Sequence, residues 1–271
     1  MRFPGFKDKA VTLSYDDGVV YDKKLIEIMD KNGLKGTFNI NSGLFSEDGE
    51  RRLTRQQAKD LYTNSGHEVA IHGRRHLHLT DIPVPLACDD VLNDRIALEE
   101  LFDTIITGMA YPYGLYNDKI VEILQDCGIE YSRTTVSTEK FDIPTDWLRL
   151  PATCHHSNPR LMKLAASFVE DEPHVWYRSY PPKLFYLWGH SYEFNDNDNW
   201  NIIEEFAEFI GNRSDVWYAT NIEICKYVKA YDALQFSANG EIAYNPSLVD
   251  VYINYFDKEI LVPSGKTVKL K

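Results

Sequence analysis

The sequence has no CxxC pair, no run of basic residues and no apolar stretch near the ~20 residues that a bilayer span requires. It also lacks a Gly-x-Gly-x-x-Gly fingerprint after its first strand-like segment, and it has no internal repeat and no low-complexity tract. Each absence removes a class. The four cysteines, Cys88, Cys127, Cys154 and Cys225, are widely spaced, which argues for reduced, mostly buried thiols over a disulfide framework or a zinc knuckle. Net charge is −12, so nucleic acid and anionic membrane surfaces are poor partners. The missing glycine fingerprint weakens a dinucleotide-binding reading. No apolar signal region precedes the first strand-like run, which sets the expectation of a cytoplasmic chain, although a trimmed secreted chain would read the same.

What is present is alternation. Apolar, β-rich runs at 10–15, 36–40, 67–71, 107–111, 129–134, 184–189 and 215–220 are separated by segments with helical spacing. Leu25, Ile28 and Met29 share one helical face with Gly33 as the stop, and Thr54 with Gln57 is spaced as a capping box. Seven strand–helix units predict an α/β fold with parallel strands in a closed or nearly closed barrel, with an open doubly wound sheet as the alternative. From Asp232 the pattern changes to short alternating runs broken by Asn-Gly, Asn-Pro and Ser-Gly, which predicts antiparallel strands. The chain therefore divides into a barrel over 1–231 and a C-terminal β-strand extension over 232–271.

In parallel α/β barrels, functional groups gather where strands end. The first run ends in Asp16-Asp17-Gly18, the third in "IHGRRH" with His72 and His76, the fourth in "YPYG" with Tyr113, and the sixth in "WGHSYEF" with His190. His72 and His76 are four apart and lie on one face if the chain turns helical after the strand. Two histidines with one Asp make a three-ligand site with open positions, the arrangement that a catalytic divalent metal uses. Adjacent carboxylates repel, and one would take up a proton. A metal on one relieves that cost and leaves the other free as a base. Alone, Asp16-Asp17-Gly18 reads as a solvated turn, and the histidines as a half-buried pair; together at successive strand ends they read as a site.

"LSYDDG", "HGRRH", "YPYG" and "LWGH" resemble, in order and spacing, the motifs of the polysaccharide deacetylase family (the NodB-homology domain, carbohydrate esterase family 4), over roughly Lys9 to Ala230. The resemblance implies a distorted (β/α)7 barrel. It implies a metal-dependent hydrolase, acting on carbon–nitrogen bonds other than peptide bonds, that removes N- or O-acetyl groups from an acetylated sugar or oligosaccharide. It also implies one divalent metal, zinc foremost with cobalt, manganese or nickel as alternatives, held by Asp17, His72 and His76. Asp16 is then the general base, the Tyr113 backbone N–H an oxyanion donor and His190 the acid. Asp146 of "DIPTDW" would hold His190, with Trp147 walling the pocket.

Tyr111, Trp147 and Trp188 are candidate substrate contacts, because sugar rings expose C–H faces that pack on aromatic faces; core packing is the ordinary alternative. Three positions depart from the family pattern. Ala110 stands where the family carries Arg, which leaves Arg74, Arg75, Arg133 and Arg149 as candidate replacements. Gly73 stands where Ser or Thr is usual. Asp142 or Glu193 could partner His190 in place of Asp146. His155 and His156 are an exposed or structural pair, one of which could face substrate. Two other functions remain open: a C–N hydrolase of the same fold acting on a non-sugar amide or cyclic ureide, and a catalytically inactive carbohydrate-binding relative. The expected partner is the acetylated carbohydrate, with oligomeric state undetermined.

Overall fold

Eight consecutive residues, Lys9–Asp16, are buried and form β1, the strand that organises the sheet. The computed structural model describes residues 1–170, 180–256 and 258–271. The other strands of the main sheet are β2 (Gly36–Ile40), β3 (Glu68–Ile71), β4 (Gly108–Ala110), β5 (Tyr131–Ser137), β6 (Leu150–Ala152), β7 (Cys154–His155), β8 (Lys183–Gly189) and β9 (Val216–Tyr218). Every pairing among them is parallel, as strands covered on both faces allow.

Their order is β6-β5-β4-β3-β2-β1-β8-β7. The two ends of that order are one stretch of chain, because β6 and β7 are separated only by Thr153. Thr153 N–H donates to the Tyr186 carbonyl of β8 at 2.9 Å. The sheet thus closes on itself, with β6 and β7 together as one of seven members. This differs in detail from the seven runs read in the sequence. The closing member is 150–155, which sequence patterning leaves irregular, because Pro151 and two short runs carry no clear period. The 215–220 run instead gives β9, which pairs only with Lys9, Ala10 and Val11, on the edge of β1 that β2 does not reach.

Among the described residues eight helices cover the barrel: α1 (Asp22–Lys31), α2 (Arg55–Tyr62), α3 (Val84–Phe102), α4 (Asp118–Asp126), α5 (Leu161–Val169), α6 (Ser191–Asp196), α7 (Asn201–Ile210) and α8 (Asn221–Asp232). The Thr54–Gln57 capping box is formed at the start of α2, and Thr220 with Glu223 forms another at α8. The four cysteines are free. Beyond α8 come β10 (Gln235–Phe236), β11 (Ile242–Tyr244), β12 (Val251–Tyr255), β13 (Lys258–Val262) and β14 (Thr267–Lys269). They pair antiparallel as β10-β11-β14 and β12-β13, around a small core that includes Ala243, Val251, Ile253 and Val262. Tyr227 ties this part to the barrel: its hydroxyl donates to the Arg2 carbonyl and accepts from the Tyr252 N–H.

Candidate active site

Asp16 ends β1 and is buried; its Oδ1 accepts from Asn39 Nδ2 at 2.8 Å, and its Oδ2 accepts from Arg133 Nη2. His72 Nε2 and His190 Nε2 stand 3.7 and 3.8 Å from Oδ2. Burial alone would push this carboxyl up, but the Arg133 guanidinium, helped by both imidazoles, holds it at about 2. Arg133 is itself buried and lies over the Trp188 ring, 4.4 Å from its centroid. Among the four arginines open in the sequence, Arg133 is the one on the base. Its position explains why: Ala110 and Arg133 are partners in the β4–β5 register.

Asp17 turns away from Asp16 with φ +86°, a region that non-glycine residues rarely enter. Its N–H donates to the Asn39 carbonyl at 2.9 Å. Arg52 Nη1 donates to the Asp17 carbonyl at 2.7 Å, and Arg52 Nη2 lies 3.4 Å from Asp17 Oδ1. Each of the adjacent carboxylates therefore has its own guanidinium.

His72 and His76 converge, but through a turn and not a helix. His76 N–H donates to the Gly73 carbonyl at 3.2 Å, and both Gly73 and His76 have positive φ. A Cβ at Gly73 would stand 3.0 Å from Asp90 Oδ2 and 3.1 Å from Pro112 Cγ, so little space is left there for a side chain. The turn is pinned from outside. Asn41 Nδ2 donates to the His72 and Gly73 carbonyls, Asp94 accepts from His72 N–H and Ser42 N–H, and Asp90 accepts from Arg75. Asp90 and Asp94 are fully buried on α3, on the stripe of Ala87, Val91 and Leu98. Polar residues at apolar positions of that stripe were the available sequence signal for them.

One ligand atom from each of Asp17, His72 and His76 lies within 4.8 Å of the others. His72 Nδ1 is 2.8 Å from the Ala110 carbonyl, which fixes that nitrogen as the donor and leaves Nε2 with its lone pair towards the group. Burial and the neighbouring His72 hold His76 down at about 4, so its lone pair is also free near neutral pH. Two imidazole nitrogens turned to one point and a carboxylate fit a divalent metal.

Tyr113 lies at the same rim with φ +57°, its exposed ring against His76 and His78. A cleft of about 500 Å³ opens beside Asp17, lined by Asp48, Glu50, Arg51, Arg52 and Tyr192 among others.

The partner of His190 is Glu193, not Asp146. Glu193 Oε1 is 3.3 Å from His190 Nδ1, three residues along the same turn. Asp146 instead caps Leu148 N–H and pairs with Arg149, on a separate surface cleft with Trp147, Gln125, Glu130 and Lys229. Trp147 therefore does not stand at the rim with His190. Tyr111 is also withdrawn from substrate: it is buried, its hydroxyl donates to the Leu148 carbonyl, and its ring stacks on Tyr116. Trp188 is buried too, and its face supports Arg133. The aromatics left open at the rim are Tyr113 and Tyr192.

Burial lowers the affinity of His190 for a proton, but Glu193, Asp16 and Asp17 more than offset it, and its pKa is raised. Glu193, despite partial burial, is held far below the usual carboxylate range by His155, His156 and His190.

Comparisons with known proteins bear on the fold and on the first half of the chain. Residues 4–132 match the family model for polysaccharide deacetylases. A protein of Arthroderma benhamiae named a probable peptidoglycan-N-acetylglucosamine deacetylase is 25% identical over 142 residues, covering 50% of this chain and 31% of that protein. The match thus spans about a third of the relative's length. A Mycobacterium smegmatis structure described as a polysaccharide deacetylase superposes with a TM-score of 0.58 at 17% identity, covering 86% of this chain and 94% of that one. A Streptomyces lividans family 4 carbohydrate esterase, solved with acetate, gives 0.53 at 14% identity over 79% and 93%. A Bacillus anthracis pseudoenzyme of the same esterase family gives 0.50 at 15% identity over 80% and 65%, so the fold by itself does not decide activity. Residues 4–132 are thus similar to the polysaccharide deacetylase family, and the barrel has the fold of the Mycobacterium smegmatis and Streptomyces lividans structures.

Proposed function

We propose that this chain is a metal-dependent hydrolase that removes acetyl groups from an acetylated amino sugar or oligosaccharide. One observation carries the reading: a ligand set of Asp17, His72 and His76 lies beside a buried carboxylate, Asp16, that belongs to no such set and faces His190. A divalent ion held by Asp17, His72 and His76, with zinc the best match to the donors, would polarise an acyl carbonyl and acidify water.

The remaining work falls to the protein's own groups. Asp16 stays ionised near neutral pH and accepts the proton of the attacking water. The Tyr113 N–H donates to the oxygen that gains negative charge. His190 gives its Nε2 proton to the departing amine or alkoxide, and Glu193 holds the opposite nitrogen. The name of the fungal relative supports an N-acetylated sugar as the substrate class. The cleft beside Asp17, with both charge signs and Tyr192, offers polar and aromatic surface to a sugar.

The test is acetate release from acetylated mono- and oligosaccharides, screened with zinc, cobalt, manganese and nickel. Release that depends on metal and vanishes in Asp16→Asn, with the metal still bound, is the expected result. Sugar binding without release under any metal would replace this reading with that of an inactive relative.

A further inference from the structure

A second group of ligating side chains sits on the far side of His190. Glu193 Oε2 stands 2.8 Å from His156 Nε2 and 3.2 Å from His155 Nε2, while Glu193 Oε1 stands 3.3 Å from His190 Nδ1. One ligand atom from each of His155, His190 and Glu193 lies within 4.8 Å of the others. The separations are short, yet His190 Nδ1 and Glu193 Oε2 are sealed from solvent without an aligned hydrogen-bond partner among the described residues. These close contacts are not aligned hydrogen bonds, and an ion between His190 Nδ1 and Glu193 Oε2 would satisfy both atoms. His155 is oriented for the same point: its Nδ1 is 2.7 Å from Ser157 Oγ, which turns Nε2 to Glu193. Two imidazoles and a glutamate are a donor set that zinc takes.

We propose that His155, His190 and Glu193 form a second divalent-cation site, distinct from the Asp17, His72 and His76 group. The two share no ligand. They meet only through Asp16, which His190 approaches with its other nitrogen, Nε2.

The test is the zinc content of the full chain, by equilibrium dialysis against zinc alone. Wild type should hold two ions, with His155→Gln and His76→Gln each losing one. Glu193→Gln should lose the same ion as His155→Gln and provides a second variant if the first fails to fold. One ion in wild type, lost in His76→Gln and kept in His155→Gln, would overturn the second site and leave the first reading intact. One ion lost in His155→Gln and kept in His76→Gln would support this site and remove the first. Two ions retained in both His155→Gln and Glu193→Gln would also overturn it.

Discussion

Ala110 and Arg133 face each other across the parallel pairing of β4 and β5, and Arg133 sends its guanidinium to Asp16. The cation that steadies the proposed base has moved one strand along the barrel. Arg133→Met should leave a buried carboxylate without its partner, at a cost of about 3–5 kcal/mol in stability. The depressed Asp16 pKa contributes stability that is present above pH ~4 and lost as pH falls towards 2. Urea denaturation at pH 7 and pH 3 should therefore show a larger deficit for the variant at pH 7. A deficit equal at both pH values would show that the charge pair contributes nothing.

The proposed acid should reveal its partner in a pH profile. His190→Ala should lower kcat by about 10²–10⁴-fold. Glu193→Gln should do something different: removing its charge lowers the His190 pKa, so the alkaline limb of kcat/KM moves to lower pH. Asp146→Asn should leave that limb in place, because Asp146 engages Arg149.

Asp22 provides a test of stability alone. It is buried against the Tyr62 and Ser191 hydroxyls, and burial pushes its carboxyl up to about 7. The folded chain keeps a proton that the unfolded chain releases between about pH 4 and 7, so stability falls as pH rises through that window. Asp22→Asn cannot release this proton. Its urea midpoint should change less between pH 5 and pH 8 than that of wild type; an equal change would remove Asp22 as a source of the decline.

Gly189 separates Trp188 from His190. A Cβ there would stand 2.0 Å from His156 Nδ1. Gly189→Ala should displace the His156 ring and destabilise the fold by about 1–3 kcal/mol, the usual cost of overpacking. Thermal denaturation measures it. Full stability in the variant would mean that the ring moves freely.

The main site elements were legible because each strand-end motif is short and local: Asp16-Asp17, His72 with His76, Tyr113 and His190 need no knowledge of register. What depends on register was not. Arg133 was one of four candidates, since only strand pairing places it opposite Ala110. The sequence offers Asp146, Asp142 and Glu193 as partners of His190, and three residues of local turn bring Glu193 to it. Spacing puts His72 and His76 on one face only if a helix joins them, and a turn with positive φ does the same work. Tyr111 and Trp188 show the limit of composition, because an aromatic at a rim position is either a platform or a plug, and burial decides.

The stretch that closes the barrel has a further consequence. Leu150–Ala152 bonds to one neighbour and Cys154–His155 to the other, so a seam runs along a few residues of chain. The seam leads directly into His155 and His156. A transient breach there, read as fast amide exchange at Thr153 and His156, would free both imidazoles from Glu193 and loosen the proton donor while leaving Asp16 and Arg133 seated. The acid and base sides of this barrel would then fail separately, the acid side first.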